Sequence, residues 1–196
     1  VTAAPPLPRS TPLSPLARRL SALASVTAQV AGGFGALATA LCLVLVAYSV
    51  GARYLAGLPQ PWIDKVAGWL VVGLVLLAAP EAQRRFEHIG VDVVTERLTG
   101  RAARAMRLVG TLSVALVAGI LLSAGLEAVE FSRMIGVMTE IEGVPVWWIQ
   151  ALLPLGSALL LVVALAQSAV LLLGQDPDFM PDGSEELPRD TLARGE

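Results

Sequence analysis

The sequence predicts an all-α integral membrane protein with four transmembrane helices. Three observations carry that reading. Residues of the AVILMFWYC set make up 55% of the 196-residue chain and charged residues only 15%, against about 25% charged in soluble domains. The charges are also spaced so that four long stretches contain none. Finally, no ten-residue run of alternating polarity recurs, which disfavours a barrel and favours helices.

An ionised side chain at mid-bilayer costs about 2.5–3.5 kcal/mol on insertion scales, so the uncharged gaps mark where the chain can cross. The gaps are 20–52, 66–80, 108–126 and 143–175. A helix needs about 20 residues to cross a core of about 30 Å. The second gap is too short alone and must recruit Trp62, Ile63, Asp64 and Lys65 at one interface. The expected spans are therefore about 26–53, 62–82, 106–130 and 145–173, within a membrane domain of 16–175. The first and fourth gaps exceed the need, so these helices should tilt or begin as interfacial segments.

Orientation follows from Arg and Lys. Eleven of the 14 fall in the N-terminal arm, the connection between helices 2 and 3, and the C-terminal tail; the other three are Arg53, Lys65 and Arg133. The positive-inside rule then places both termini in the cytoplasm. Tyr54, Trp62, Trp147 and Trp148 fall at the opposite helix ends, as an outer aromatic belt should. Ala38-Thr39-Ala40 resembles a leader cleavage site, but the apolar stretch runs on past it to Val50, which reads as a retained anchor.

The arm 1–15 holds five prolines and little to bury, and the tail 176–196 is acidic; both read as disordered. Leu16, Leu20 and Leu23 recur at helical spacing beside Arg18 and Arg19, which fits a short helix at the inner headgroups before helix 1. The segment 86–104 reads as a second cytoplasmic-side amphipathic helix. Its neighbourhood carries a basic collar of Arg84, Arg85, Arg97, Arg101, Arg104 and Arg107 facing lipid headgroups. His88 and Asp92 could meet at i, i+4, more plausibly as a structural hydrogen bond or helix-start cap than as a metal site.

In helix 4, Pro145 suits a first helical turn. Pro154 removes an internal hydrogen bond and predicts a kink, while Gly156 permits close helix approach. The plain reading is a kinked packing helix; the sharper one is a notch for a partner. Gln29, Gln150 and Gln167 are the large polar residues in the spans, and such groups contribute about 0.6 kcal/mol each through interhelical bonds.

Several function classes drop out. One cysteine, Cys42, excludes a disulfide framework and a Cys-based zinc site, and one histidine, His88, excludes paired haem ligation. No carboxylate lies mid-span, as a self-sufficient proton-coupled carrier would require. No catalytic, cofactor-binding or metal-ligating set is expected, and the chain does not read as an enzyme. Arg53 and Asp64 sit at facing ends of helices 1 and 2 and are expected to pair. Glu127, Glu130, Arg133, Glu140 and Glu142 make the connection between helices 3 and 4 locally negative, suited either to steering a docking partner or simply to solvation.

Arg53-Tyr54, then Gly57-Leu58-Pro59-Gln60-Pro61-Trp62-Ile63-Asp64 with Trp69, then His88-Ile89-Gly90-Val91-Asp92, resemble the small membrane subunit of TRAP transporters, the DctQ-like family. Gly143-Val144-Pro145-Val146-Trp147-Trp148 and Leu153-Pro154-Leu155-Gly156 extend the resemblance to helix 4. The family usually carries Glu, often doubled, where this chain has Asp64 followed by Lys65. The resemblance implies a multi-pass subunit of the bacterial inner membrane with no cofactor. It would brace a large DctM-like permease among membrane lipids and help dock a periplasmic DctP-like binding protein, for sodium-coupled uptake of an organic acid. The alternatives are a scaffold subunit of another membrane complex or a small homo-oligomeric transporter; no nucleic-acid partner is expected.

Overall fold

The structure, a computed structural model of the chain, describes residues 14–85 and 101–174, except for the side chain of Arg101. It is all-α: α1 (Pro15–Leu55), α2 (Pro61–Arg84), α3 (Arg101–Ile135), a short α4 (Val146–Gln150) and α5 (Leu152–Leu172). Four segments are long and apolar enough to cross a membrane, α4 and α5 together forming the fourth. Among the described residues the sole extended pairing is an isolated bridge between Met138 and Pro145.

Helix α1 is longer than the expected 26–53. It begins at Pro15, with the Ser14 hydroxyl accepting from the Ala17 N–H at 3.2 Å. Serine before proline supplies a cap and then a residue whose missing N–H costs nothing. The separate headgroup helix expected from Leu16 is instead the first turns of this one continuous helix. The reason lies in the small residues. Ala17, Ser21, Ala24, Ala28, Ala31 and Gly35 are buried, and their spacing of four and three forms one seam that never breaks. Ala24 and Ala28 pack on Val163 and Ala166 of α5. At 41 residues, α1 is about 60 Å long, about twice the apolar thickness of a bilayer.

Helix α5 is the centre of the packing. It touches α1, α2, α3 and α4, whereas α3 leans on α5 and α4 and makes little contact with α1 or α2. Half of the most apolar window of the fourth span is buried, against 11% for α1. Neighbours in sequence, α1 with α2 and α3 with α5, run antiparallel, and α2 and α5 run parallel. One end of the molecule therefore gathers Arg53, Asp64 and α4, and the other Gln83, Arg104 and Gly174.

Two close approaches at glycine, each tied to a proline, fix the positions of the helices on α5. Pro80, inside α2, has no N–H for the Leu76 carbonyl four residues back. Gly156 fits against that carbonyl: a Cβ at position 156 would lie 2.9 Å from Leu76 O and 2.6 Å from Leu76 Cβ. Pro154 likewise cannot serve the Gln150 carbonyl, and the helix is interrupted at Ala151 between α4 and α5. The proline ring faces Gly125 of α3, where a Cβ would come within 2.9 Å of Pro154 Cδ. The kink expected at Pro154 is thus a break one turn before it. Pro145, expected inside the first helical turn, instead precedes α4 in extended conformation, held by the bridge to Met138.

The expected amphipathic segment 86–104 falls outside the described residues up to position 100, and 101–104 begin α3. His88, Asp92 and Arg97 lie outside them too, as do the arm 1–13 and the tail from 175.

Candidate functional site: polar contacts at the two ends of the bundle

At one end, the five-residue link between α1 and α2 brings their termini together, and the expected pair forms. Arg53 Nη2 donates to Asp64 Oδ2 at 2.8 Å, with both side chains about half exposed. Ser49, 3% exposed, donates to the other carboxylate oxygen at 2.9 Å. Asp64 also sits in the first turn of α2, where a negative charge complements the helix dipole. The sequence reading missed Ser49, although it lies four residues before Arg53 on the same helical face.

The α3–α4 connection is a compact turn. Thr139 N–H donates to Val144 O at 2.9 Å, and the Thr139 hydroxyl accepts from Ile141 N–H at 3.2 Å. Gly136 and Gly143 take positive φ, 69° and 80°, which glycine accepts without strain. Arg133 lies over the Trp147 ring, 5.2 Å from its centroid, and Trp147 meets Trp148 edge to face. Glu140 is taken up by Lys65 of α2. Of the five charged residues expected to form one docking cluster, Glu127, Glu130 and Glu142 are exposed and carry no ion partner among the described residues. Tyr54, Trp62 and Trp148 are exposed at this same end.

At the other end, Arg84 departs from the expected lipid-facing collar. Its guanidinium grips Glu81 through two bonds of 2.6 and 2.8 Å, and the side chain is 13% exposed. A carboxylate three residues earlier on the same helix is a nearer partner than any headgroup. Arg85 also reaches Glu81, at 2.8 Å, but stays half exposed. Arg104 approaches Gly174 at the end of α5.

Beside this ion pair lies a buried amide pair. Gln83 Nε2 donates to Gln167 Oε1 at 2.7 Å, and Gln167 Nε2 lies 3.0 and 3.2 Å from the carbonyls of Gln83 and Arg84. Those carbonyls belong to the last turn of α2, which has no further N–H to offer them. Gln167 therefore caps α2 from a different helix. Gln29 is exposed, and Gln83, overlooked in the sequence, takes the place expected for a polar partner. Ser168 donates to Thr111 of α3 at 3.0 Å, so α5 presents adjacent polar residues to two helices. No group of three or more potential metal ligands occurs among the described residues.

An apolar groove of about 710 Å³ lies between α1, α2 and α5, lined by Phe34, Leu37, Leu41, Leu77 and Leu159 among others. Its walls run along α1 from Val26 to Leu41, with Leu70 and Leu77 from α2 and Leu155 and Leu159 from α5.

These features define a multi-pass helical membrane protein whose polar groups tie helix to helix. Residues 41–174 match the model of the tripartite ATP-independent periplasmic transporters' DctQ component. The chain belongs to that family, the small permease subunits of TRAP transporters. The match takes in the last third of α1 and all that follows it through Gly174, leaving the small-residue seam of 17–35 outside. No curated protein matches the chain.

Proposed function

We propose that the chain is the fixed brace of a TRAP transporter. In this reading it anchors the large permease subunit in the bacterial inner membrane, with both termini in the cytoplasm. It also offers the Asp64 and α4 end to the periplasmic binding protein that delivers an organic acid for sodium-coupled uptake. The observation that carries the reading is α1. Its apolar window is 11% buried within the chain, and Phe34, Leu37, Leu43 and Val44 are each more than half exposed. Lipid covers part of such a surface; a second polypeptide gains most by covering the rest, since close packing drives helix association in membranes.

The charge distribution supports the same role. The charged residues of the described spans lie toward the helix ends, and Arg53, Asp64, Lys65, Glu81 and Arg84 are engaged within the chain. A carrier needs ionisable or polar groups lining a path. The test is affinity purification of the tagged chain from its native membrane, followed by reconstitution. Recovery with a large multi-helix permease, and vesicles of the chain alone that accumulate no solute, are the expected results. A homo-oligomer that accumulates solute unaided would overturn the reading.

A further inference from the structure

Lys65 and Glu140 join the α1–α2 end of the molecule to the turn between α3 and α4. Lys65 stands in the first turns of α2, beside the α1–α2 link; Glu140 stands in the 136–145 turn between α3 and α4. Helix α3 makes little contact with α1 or α2, and the turn meets α2 at this pair and at the small notch it lines. Behind the pair is a notch of about 290 Å³ lined by Pro61, Trp62, Lys65, Glu140 and Ile141. The turn is preformed by the Thr139 hydrogen bonds and by the Val146 N–H to Val137 O bond of 3.0 Å. It can therefore shift as a unit.

We propose that this turn is a latch. The Lys65–Glu140 pair holds it over the Trp62 notch, and release of the pair lets it swing away, opening the notch and parting the two connections at this end. The pair's exposure sets how readily it opens. The side chains are 47% and 77% exposed, and exposed pairs of this kind shift an equilibrium by about five-fold at most. Salt at about 1 M shortens the screening length to about 3 Å and weakens the pair further. Both positions are then populated, with the balance set by ionic strength and by any charge brought close to Lys65. The latch follows from the chain's own geometry and goes beyond the bracing role, so its failure leaves that role standing.

The experiment places spin labels on the full chain in lipid nanodiscs, with Cys42→Ser, Leu58→Cys and Glu142→Cys, and measures the distance distribution between them. A shorter and a longer population are expected. Glu140→Gln, or a rise from low salt to about 1 M, should raise the longer-to-shorter ratio about two- to five-fold. The exchanged pair Lys65→Glu with Glu140→Lys should restore it. A single distribution indifferent to salt and to Glu140→Gln would overturn the latch. So would a change caused by Glu140→Gln that the exchanged pair fails to reverse.

Discussion

Gln167 closes the end of a helix to which it does not belong. Its amide nitrogen reaches the carbonyls of Gln83 and Arg84 while its oxygen accepts from the Gln83 amide at 2.7 Å, all with both residues 1% exposed. A last turn of helix normally finds water, a following glycine or a basic side chain for its carbonyls. Here α5 supplies the donor, which fixes the depth of α2 against α5.

Replacing Gln167 with Leu leaves the Gln83 amide and two α2 carbonyls without this partner. A loss of about 1–2 kcal/mol is expected, since a buried polar group left alone costs about 1–3 kcal/mol and membrane interhelical bonds average about 0.6 kcal/mol. Thermal unfolding in detergent would measure it. Gln83→Leu combined with Gln167→Leu should cost less than the two single changes added together.

Gly156→Ala should be among the most damaging small substitutions in the chain. The added Cβ would fall 2.6 Å from Leu76 Cβ and 2.9 Å from its carbonyl oxygen, forcing α2 and α5 apart at a cost of about 1–3 kcal/mol. Gly119→Ala is the control: nothing lies within 4 Å of its added methyl, and an alanine inside a helix is favoured by about 1 kcal/mol. Opposite shifts in unfolding temperature are expected, and equal ones would refute the close contact.

The Arg53–Asp64 pair is half exposed, so its direct coupling should lie below about 1 kcal/mol. A double-mutant cycle of Arg53→Ala with Asp64→Ala measures it, and strict additivity would show that the charges act separately. Asp64→Ala should cost more than Arg53→Ala, because it also takes the acceptor from the nearly buried Ser49 hydroxyl.

If the acidic surface steers the binding protein, Glu127, Glu130 and Glu142 should dominate, because Glu140 is neutralised by Lys65. Changing the three to Gln should slow uptake several-fold at low binding-protein concentration and low salt, and little when the binding protein saturates. Uptake that is unchanged across the titration would remove the steering role.

Some of this was readable from residue order and some was not. The four spans follow from the gaps between charges, because lipid forbids an unpaired charge far more strongly than any local propensity acts. The pairing of Arg53 with Asp64 follows from a short link that leaves the two helix ends no room to separate. At the start of α1, Leu16, Leu20 and Leu23 suggest a surface helix, whereas the seam through Ala17, Ser21 and Ala24 decides the packing. Small residues carry weak hydropathy signals yet allow close approach. Gln83, Gly125 and Thr111 stayed hidden for a different reason: each matters through a residue more than 25 positions away, and the register between helices is absent from any local pattern. Arg84 reads as a headgroup ligand when only the arginines are counted; Glu81, three residues earlier, is the nearer partner.

The helix that holds the others together also follows them in chain order among the described helices. Until α5 leaves the ribosome and enters the bilayer, α3 lacks the helix it chiefly leans on, Gly125 has no proline to receive, and Ala24 and Ala28 face lipid in place of Val163 and Ala166. Consolidation of the described bundle therefore waits on its fourth span, and a chain cut short before Gly156 keeps the α1–α2 pair but leaves α3 loosely held and open to membrane proteases.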